Sequence, residues 1–276
     1  MTKADKIYRK LLKKIQKDGE LISSRNGLTR RHFSLPTISF NSIPLVTFRK
    51  IAALKAIEEM QWFLSGDSKC PASLYDWWGD QLSPDGHYFC GYGSQLIHYP
   101  NDNYNGFNQI KALVDGLINH PFSRRHVITT WNPADMADIT KINSNEKTPT
   151  TCHTTIAQFF VSKDNGLIMH SYQRSADMLL GVPHNWIQSW AFLMWLAAQI
   201  DSYADTMLWT FGDAHIYQED SHLEVVNVIL AHKVKVYDLP PKLNYKAKAG
   251  KKFDVTDFEL IGKTFTPVTN IRPRLL

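Results

Sequence analysis

The run WIQSWAFLMWLAAQI, Trp186–Ile200, is apolar on nearly every side. A helix without a polar face has to be enclosed, so this segment predicts a core helix with the rest of the chain wrapped around it. Ahead of it lie two runs that read as strands, Thr154–Val161 and Gly166–Tyr172. Behind it Trp209–Tyr217 reads as a further strand-like stretch, followed by a helix at about 218–232. Strands mixed with long helices predict an α/β (α+β) chain.

At 276 residues the chain can bury a sizeable core, as one large α/β domain or two small ones. No repeat, low-complexity stretch or linker divides it, so residues 1–276 are expected to form a single domain. The first element is predicted to be a helix, because Ile7, Leu11, Leu12 and Ile15 recur at helical spacing. A turn at Arg25-Asn26-Gly27 should precede a strand and leave Arg25 in a loop. A second helix is expected over about 48–64, with Ile51, Leu54, Ile57 and Phe63 on one face. Glu59 falls inside it beside Trp62 and Phe63, and a carboxylate among aromatics is a candidate for a raised pKa. Residues 66–106 read as long surface loops lining a site. A helix over 107–119 and a strand over 126–131 should follow.

The chemistry concentrates in Thr148–Asn185. That stretch holds a thiol at Cys152, an imidazole at His153, a guanidinium and hydroxyl at Arg174-Ser175, a carboxylate at Asp177 and an amide at Asn185. These are parts for covalent chemistry on a phosphorylated ring that hydrogen-bonds. With Cys152 and Arg174 at the ends of the two strand-like runs, thiol and arginine can arrive on adjacent strands. Three cysteines without a C-x-x-C spacing argue against disulfides and structural zinc, and no metal is expected. A net charge of +5, spread along the chain, suits a phosphate-bearing small substrate at least as well as nucleic acid. The charged, amphipathic N-terminal segment has no signal-peptide core and no run spans a bilayer, so a cytoplasmic protein without membrane contact is expected.

Taken in order, the blocks SRNG, PLVTFRK, EEMQWFLSGD, GYGSQ, SRRHVITTWNP, TCHTTIAQFFV, SYQRSADMLLGVPHN, GDAHIY and DFELIG resemble the folate-dependent thymidylate synthases and deoxypyrimidine-monophosphate hydroxymethylases. Any one block is a weak signal, but the ordered set from about residue 20 to 262 is specific. The resemblance implies a three-layer fold on a bent mixed sheet, with two subunits packed sheet to sheet. It also implies one-carbon transfer from 5,10-methylenetetrahydrofolate to C5 of a pyrimidine nucleotide.

By the same resemblance Cys152 is the nucleophile that adds to C6, with His153 beside it. Glu59 moves protons, and Tyr92 helps remove the C5 proton. Arg174, Ser175 and Arg25 clamp the phosphate, while Arg124 and Arg125 are lent across the dimer interface, so each site needs both subunits. Asn185 reads the base: an amide accepts from N3–H and donates to O4, which argues for dUMP over a cytosine nucleotide. Gln173 supports the nucleotide, and His215 and Tyr217 hold the sugar 3′-hydroxyl. Asp177 hydrogen-bonds the pterin, and Tyr75, Trp78 and Gly181 fall on the folate side.

The sequence departs from the synthase pattern at the folate pocket. Tyr75 stands where a tryptophan is usual, His184 where an apolar aromatic is common, and Pro149-Thr150-Thr151 ahead of the thiol is unusual. The end, TNIRPRLL, lacks the usual closing tail. Changes that loosen or rewet the methylene pocket favour water over hydride at the last step. They point to 5-hydroxymethyl-dUMP, a product the resemblance associates with phages carrying modified thymine; the alternative is dTMP with dihydrofolate. A nucleotide-binding module without catalysis would not need the thiol and Glu59 retained here. A cysteine hydrolase would need His153 to face Cys152, and neighbours on a strand point apart.

Overall fold

The computed structural model describes residues 1–24, 26–88, 91–100, 106–136, 151–232 and 241–262. Arg25, Pro149, Thr150 and the C-terminal tail therefore lie outside the described residues.

Seven strands form one mixed sheet: β1 (Glu20–Ser24), β2 (Gly27–His32), β3 (Ile38–Phe40), β4 (Val127–Thr129), β5 (Ile156–Val161), β6 (Gly166–Asp177) and β7 (Tyr203–Tyr217). Their order is β1-β2-β7-β6-β5-β4, with β3 also paired to β7. Among the described residues only β6 and β7 run parallel, and their register shifts by one residue at Leu167/Ile168. Such a bulge raises the local twist and bends the sheet. Parallel neighbours need a crossover, and the crossover here is the apolar helix. A small second sheet pairs β8 (Lys242–Tyr245) with β9 (Phe258–Ile261).

The helices are α1 (Lys3–Asp18), α2 (Ala53–Ser65), α3 (Tyr75–Trp78), α4 (Tyr92–Ile97), α5 (Gln109–Asn119), α6 (Val182–Gln199) and α7 (Asp220–Ala231). Helix α6 packs on β6 and β7 and also against α2 and β8. Sheet, α6 and α2 thus make three layers, and α6 buries Trp186, Ile187, Phe192, Leu193 and Leu196 between its neighbours. The enclosure expected of an all-round apolar helix is what the fold provides.

Several boundaries differ from expectation, for physical reasons. The second helix starts at Ala53 rather than near Phe48. Asp5, in the first turn of α1, accepts hydrogen bonds from the backbone N–H and the hydroxyl of Thr47, at 2.6 and 2.7 Å. That tie holds Leu45–Phe48 as a buried segment under α1. Leu54 is 50% exposed, so it does not share the buried face of Ile57 and Phe63. Residues 66–106 are not plain loops: 3-10 turns at Ala72–Leu74 and Gly79–Gln81 join the short helices α3 and α4. The edge strand β1 carries no alternating apolar pattern and was not foreseen. Cys152 lies just before β5, not on it. Among the described residues no helix is long and apolar enough to cross a membrane.

Candidate active site

Cys152 sits between β4 and β5, where Thr154 adopts a left-handed φ of 49°. A β-branched residue there is strained, and such strain persists only where the surroundings impose it. Thr130 donates its hydroxyl to the Thr154 carbonyl at 3.1 Å, and Thr151 donates to the Thr130 carbonyl at 2.9 Å. From α4, the Tyr92 oxygen accepts from the backbone N–H of Cys152 at 2.6 Å and of His153 at 3.3 Å. These bonds fix the backbone that carries the thiol.

His153 is buried in an aromatic stack. Its ring lies 4.6 Å from that of Tyr92, which lies 4.4 Å from Phe63. Burial lowers its pKa to about 3, so it is a neutral ring at working pH. Nδ1 meets the Thr154 hydroxyl at 3.1 Å. The hydrolase reading loses its general base because the ring is stacked on Tyr92 and its Nδ1 is engaged by Thr154, rather than through alternation along a strand. Burial also pushes the Tyr92 hydroxyl well above its usual range.

Arg174, on β6, points its guanidinium at this segment. It donates to the Thr151 carbonyl at 3.2 Å, approaches Sγ of Cys152 at 3.9 Å and lies 4.8 Å over the ring of Trp131. Positive charge against the sulfur is the polarity that suits a sulfur anion. Ser175, next along β6, donates its backbone N–H to the Cys152 carbonyl at 3.3 Å.

At the far end of β6 the chain turns into α6. Asp177 accepts from the backbone N–H groups of Leu179 and Leu180 through Oδ1, at 2.8 and 2.9 Å. Gly181 follows; a Cβ there would come within 3.2 Å of the Asn185 oxygen, so a side chain would crowd the amide. Asn185 itself is oriented by a relay. The Trp209 indole, which can only donate, bonds Gln173 Oε1 at 3.1 Å, and Gln173 Nε2 then bonds Asn185 Oδ1 at 3.1 Å. The relay fixes the Asn185 oxygen toward Gln173 and leaves its N–H groups on the other side of the amide.

Glu59 is buried on α2. It accepts from the Trp78 indole at 2.5 Å and from Gln188 of α6 at 2.9 Å. Burial raises its pKa to about 7, against which both bonds and Lys55 pull downward. On β7, His215 donates Nδ1–H to the Asp213 carbonyl at 3.2 Å, and its ring meets Tyr217 edge-on at 5.3 Å. Burial raises the Tyr217 hydroxyl. Asp213 also pairs with Arg31 of β2 at 3.1 Å.

Other predicted residues stand apart. Arg124 and Arg125 are exposed in the turn before β4 and meet none of these groups among the described residues. Tyr75 shares α3 with Trp78 but is 41% exposed, and its hydroxyl packs at Gly86. His184 does not offer the pocket a free ring nitrogen: Nδ1 bonds the Leu180 carbonyl at 2.8 Å, and Nε2 accepts from Ala52 at 3.4 Å. Sequence reading missed Gln188, Trp209 and Trp131. The first could have been found, because it lies three residues beyond Asn185 on the same helical face; nothing in the sequence marks the other two. No group of three or more His, Cys, Asp or Glu side chains able to hold a metal occurs among the described residues.

The family model described as "Thymidylate synthase" matches residues 6–273. A thymidylate synthase of Brachyspira hyodysenteriae is 34% identical over 237 residues, which cover 82% of this chain and 84% of that one. A thymidylate synthase of Corynebacterium aurimucosum is 31% identical over 265 residues, 92% of either chain. With one family model across nearly the whole sequence and relatives of this identity over most of it, the chain belongs to the thymidylate synthase family of one-carbon transferases.

Proposed function

We propose that this chain moves the methylene carbon of 5,10-methylenetetrahydrofolate, the co-substrate of its family, to C5 of dUMP, with Cys152 as the nucleophile. The observation that carries the reading is the approach of Arg174 to Cys152 at 3.9 Å, and it is supported by the amide of Asn185 oriented by Gln173, the residue before Arg174 on β6. C5 of uracil is a poor nucleophile, and a thiolate bonded to C6 pushes electrons into the ring and makes C5 enolate-like.

The polar groups left open fit such a substrate. Asn185 Nδ2 and Asp177 Oδ2 make no hydrogen bond to another described residue. The first would donate to O4 of uracil while Oδ1, which has a second lone pair, accepts from N3–H. Cytosine would set its amino group against that N–H. Asp177 would hold the pterin, beside Gly181, Trp78 and Tyr75. Arg174 and Ser175, with Arg25, would hold the phosphate; His215 and Tyr217 would hold the 3′-hydroxyl, with Gln173 behind Asn185. Glu59, with a pKa of about 7, can accept and return a proton at neutral pH, and Tyr92 stands on the thiol side to help at C5.

Sheet-to-sheet pairing of two copies is part of the proposal. Ile156, Phe160 and Tyr172 leave 48%, 38% and 38% of their surface open on the sheet. A second copy covering that face would bring Arg124 and Arg125 to the partner's phosphate site. We place the enzyme in the cytoplasm, with no direct nucleic-acid partner.

The product we favour is 5-hydroxymethyl-dUMP. Tyr75, in place of the usual tryptophan, is 41% exposed and would leave the folate side open to water. The second reading, dTMP with dihydrofolate, is favoured by the relatives named thymidylate synthase and by His184, whose ring nitrogens are both engaged. Incubation with dUMP and methylenetetrahydrofolate, followed by mass analysis of the nucleotide, separates them. A product one oxygen heavier than dTMP without dihydrofolate absorbance supports the first reading, and dTMP with that absorbance the second. No tritium release from [5-³H]dUMP would reject both.

A further inference from the structure

Gln188 lies one turn beyond Asn185 on α6 and is completely buried. A primary amide in such a place is destabilising unless both its donor and its acceptor are met. Here only one half is met. Nε2 donates to Oε2 of Glu59 at 2.9 Å, whereas Oε1 is buried without a hydrogen-bond partner. An orphan of this kind in a fully enclosed side chain calls for an explanation.

The other carboxyl oxygen explains it. Oε1 of Glu59 is held at 2.5 Å by the Trp78 indole, which donates and never accepts. When Glu59 takes up a proton, the hydroxyl it gains is itself a donor, and it belongs on the oxygen facing Gln188. The Gln188 N–H would then keep only a weakened bond to the protonated oxygen, and the new hydroxyl would face no acceptor. Rotation of the amide by half a turn about its last bond replaces that N–H with the carbonyl, which accepts.

We propose that Gln188 is a positioning residue for Glu59, reversing its amide as the carboxyl gains and loses a proton so that the carboxyl keeps one place in both states. The unpartnered Oε1 is the acceptor reserved for the acid form, in which the unmet place passes to Nε2. The inference rests on the proposed proton-handling role of Glu59.

The surroundings leave this task to Gln188. On α2 itself, Lys55 is ion-paired to Asp76, and Glu58 accepts from Ser73. Cys70 faces Glu59 as a thiol whose pKa is raised to about 11, first by burial and then by that carboxylate. The α4 helix brings Tyr92 against Phe63, and Asp257, in the 3-10 turn packed on α2, is engaged with Lys251. On α6, His184 is tied to backbone. None of these supplies an acceptor to a protonated Glu59. A pKa near 7 keeps both carboxyl forms populated around neutrality.

Side-chain amide NMR of glutamine-labelled protein tests the proposal, with the Gln188 signal assigned by its loss in Gln188→Met. An N–H bonded to a charged oxygen resonates far downfield. That downfield proton should be present above about pH 8 and vanish below about pH 6, as Glu59 titrates. In Glu59→Gln, where Trp78 fixes the new amide with its N–H toward Gln188, it should be missing at every pH. A downfield Gln188 proton that persists at low pH, or in Glu59→Gln, would overturn the proposal. Should Glu59→Gln fail to fold, the wild-type titration decides alone. Neither spectrum needs dUMP, so loss of the proposed activity and loss of this inference remain distinguishable.

Discussion

The guanidinium of Arg174 stands 3.9 Å from the sulfur of Cys152 while its central carbon lies over the ring of Trp131, 4.8 Å away. That cation–π contact and two bonds to the Thr151 carbonyl hold the charge where a sulfur anion would form. Lysine keeps the charge but not the planar fork, so Arg174→Lys should slow alkylation of Cys152 by iodoacetamide at fixed pH. Turnover of dUMP should fall about 10-fold or more, the worth of a charge-assisted hydrogen bond. Unchanged alkylation would mean that the guanidinium does not act on the sulfur. Cys152→Ala should abolish tritium release altogether.

Base choice depends on a relay that begins in the core. Trp209 has no surface exposed, and its indole N–H sets Gln173, which in turn sets Asn185. Asn185→Asp replaces the amide N–H with an acceptor and should shift preference from dUMP towards dCMP. Trp209→Phe removes only the N–H at the start of the relay and should erode discrimination by about 10-fold without reversing it. The ratio of kcat/KM for the two nucleotides measures both effects. A preference untouched by Asn185→Asp would count against its role at the base.

Glu59 couples activity to stability. Its folded pKa of about 7 lies above the ordinary 4.5, so between these values the native state keeps a proton that the unfolded chain has released. Its contribution therefore favours folding at low pH and is lost as pH rises through about 7. Glu59→Gln should remove that loss and raise stability above neutrality by up to about 3 kcal/mol. The same change should lower turnover by about 10²–10⁴-fold, the usual worth of a positioned acid or base. Urea unfolding at about pH 8, beside a tritium-release assay, checks the pair; a less stable Glu59→Gln protein would refute the burial argument.

The sequence disclosed what periodicity and chemistry mark directly. The enclosed α6 was legible because no other place suits WIQSWAFLMWLAAQI. Cys152, Arg174, Asn185 and Glu59 were legible as a set through an ordered series of blocks, and Arg174 does reach the Cys152 sulfur, while Asn185 and Glu59 each meet a glutamine. The same apolar run that announced α6 concealed Gln188, since one amide among aromatics reads as tolerance. The late start of α2 was illegible for another reason: it depends on Asp5 capturing Thr47, forty-two residues away. Long-range ties of this kind override local propensity and leave no local trace. The strained turn at Thr154 was hidden too, because the residue itself favours a strand.

His184 predicts an acid-labile fold. Burial, with Arg49 nearby, depresses its pKa to about 4 from the ordinary 6.5, although its bond to the Leu180 carbonyl pulls upward. Below 6.5 the unfolded chain takes a proton that the native ring refuses, so this stability is complete above 6.5 and drains away as pH falls towards 4. His184→Phe should lower stability at neutral pH by about 1–2 kcal/mol, through two lost hydrogen bonds. It should also flatten the acid limb by about 3 kcal/mol. Thermal unfolding across that range, compared with the parent, decides it; an acid limb of unchanged slope would mean that His184 titrates normally. His153 should leave a residual slope, because its pKa of about 3 has the same sign.

The proposed pairing of two copies makes a prediction that neither copy can satisfy alone. Arg125 is exposed in the turn before β4, whereas Cys152 and Arg174 lie within one chain's own site. If Arg125 serves the neighbour's phosphate, Arg125→Ala and Cys152→Ala are each inactive for different reasons. A mixed dimer of the two then contains one site with an intact thiol facing an intact Arg125. Mixing the variants after brief unfolding and refolding should restore up to about a quarter of wild-type activity, since half of randomly paired dimers are mixed and each carries one complete site. Changing Ile156 and Phe160, the exposed apolar residues of β5, to lysine should abolish this rescue and yield monomers by light scattering. Arg125→Ala that stays fully active, or mixtures that never regain activity while dimers form, would show that the arginine acts nowhere near the partner's site.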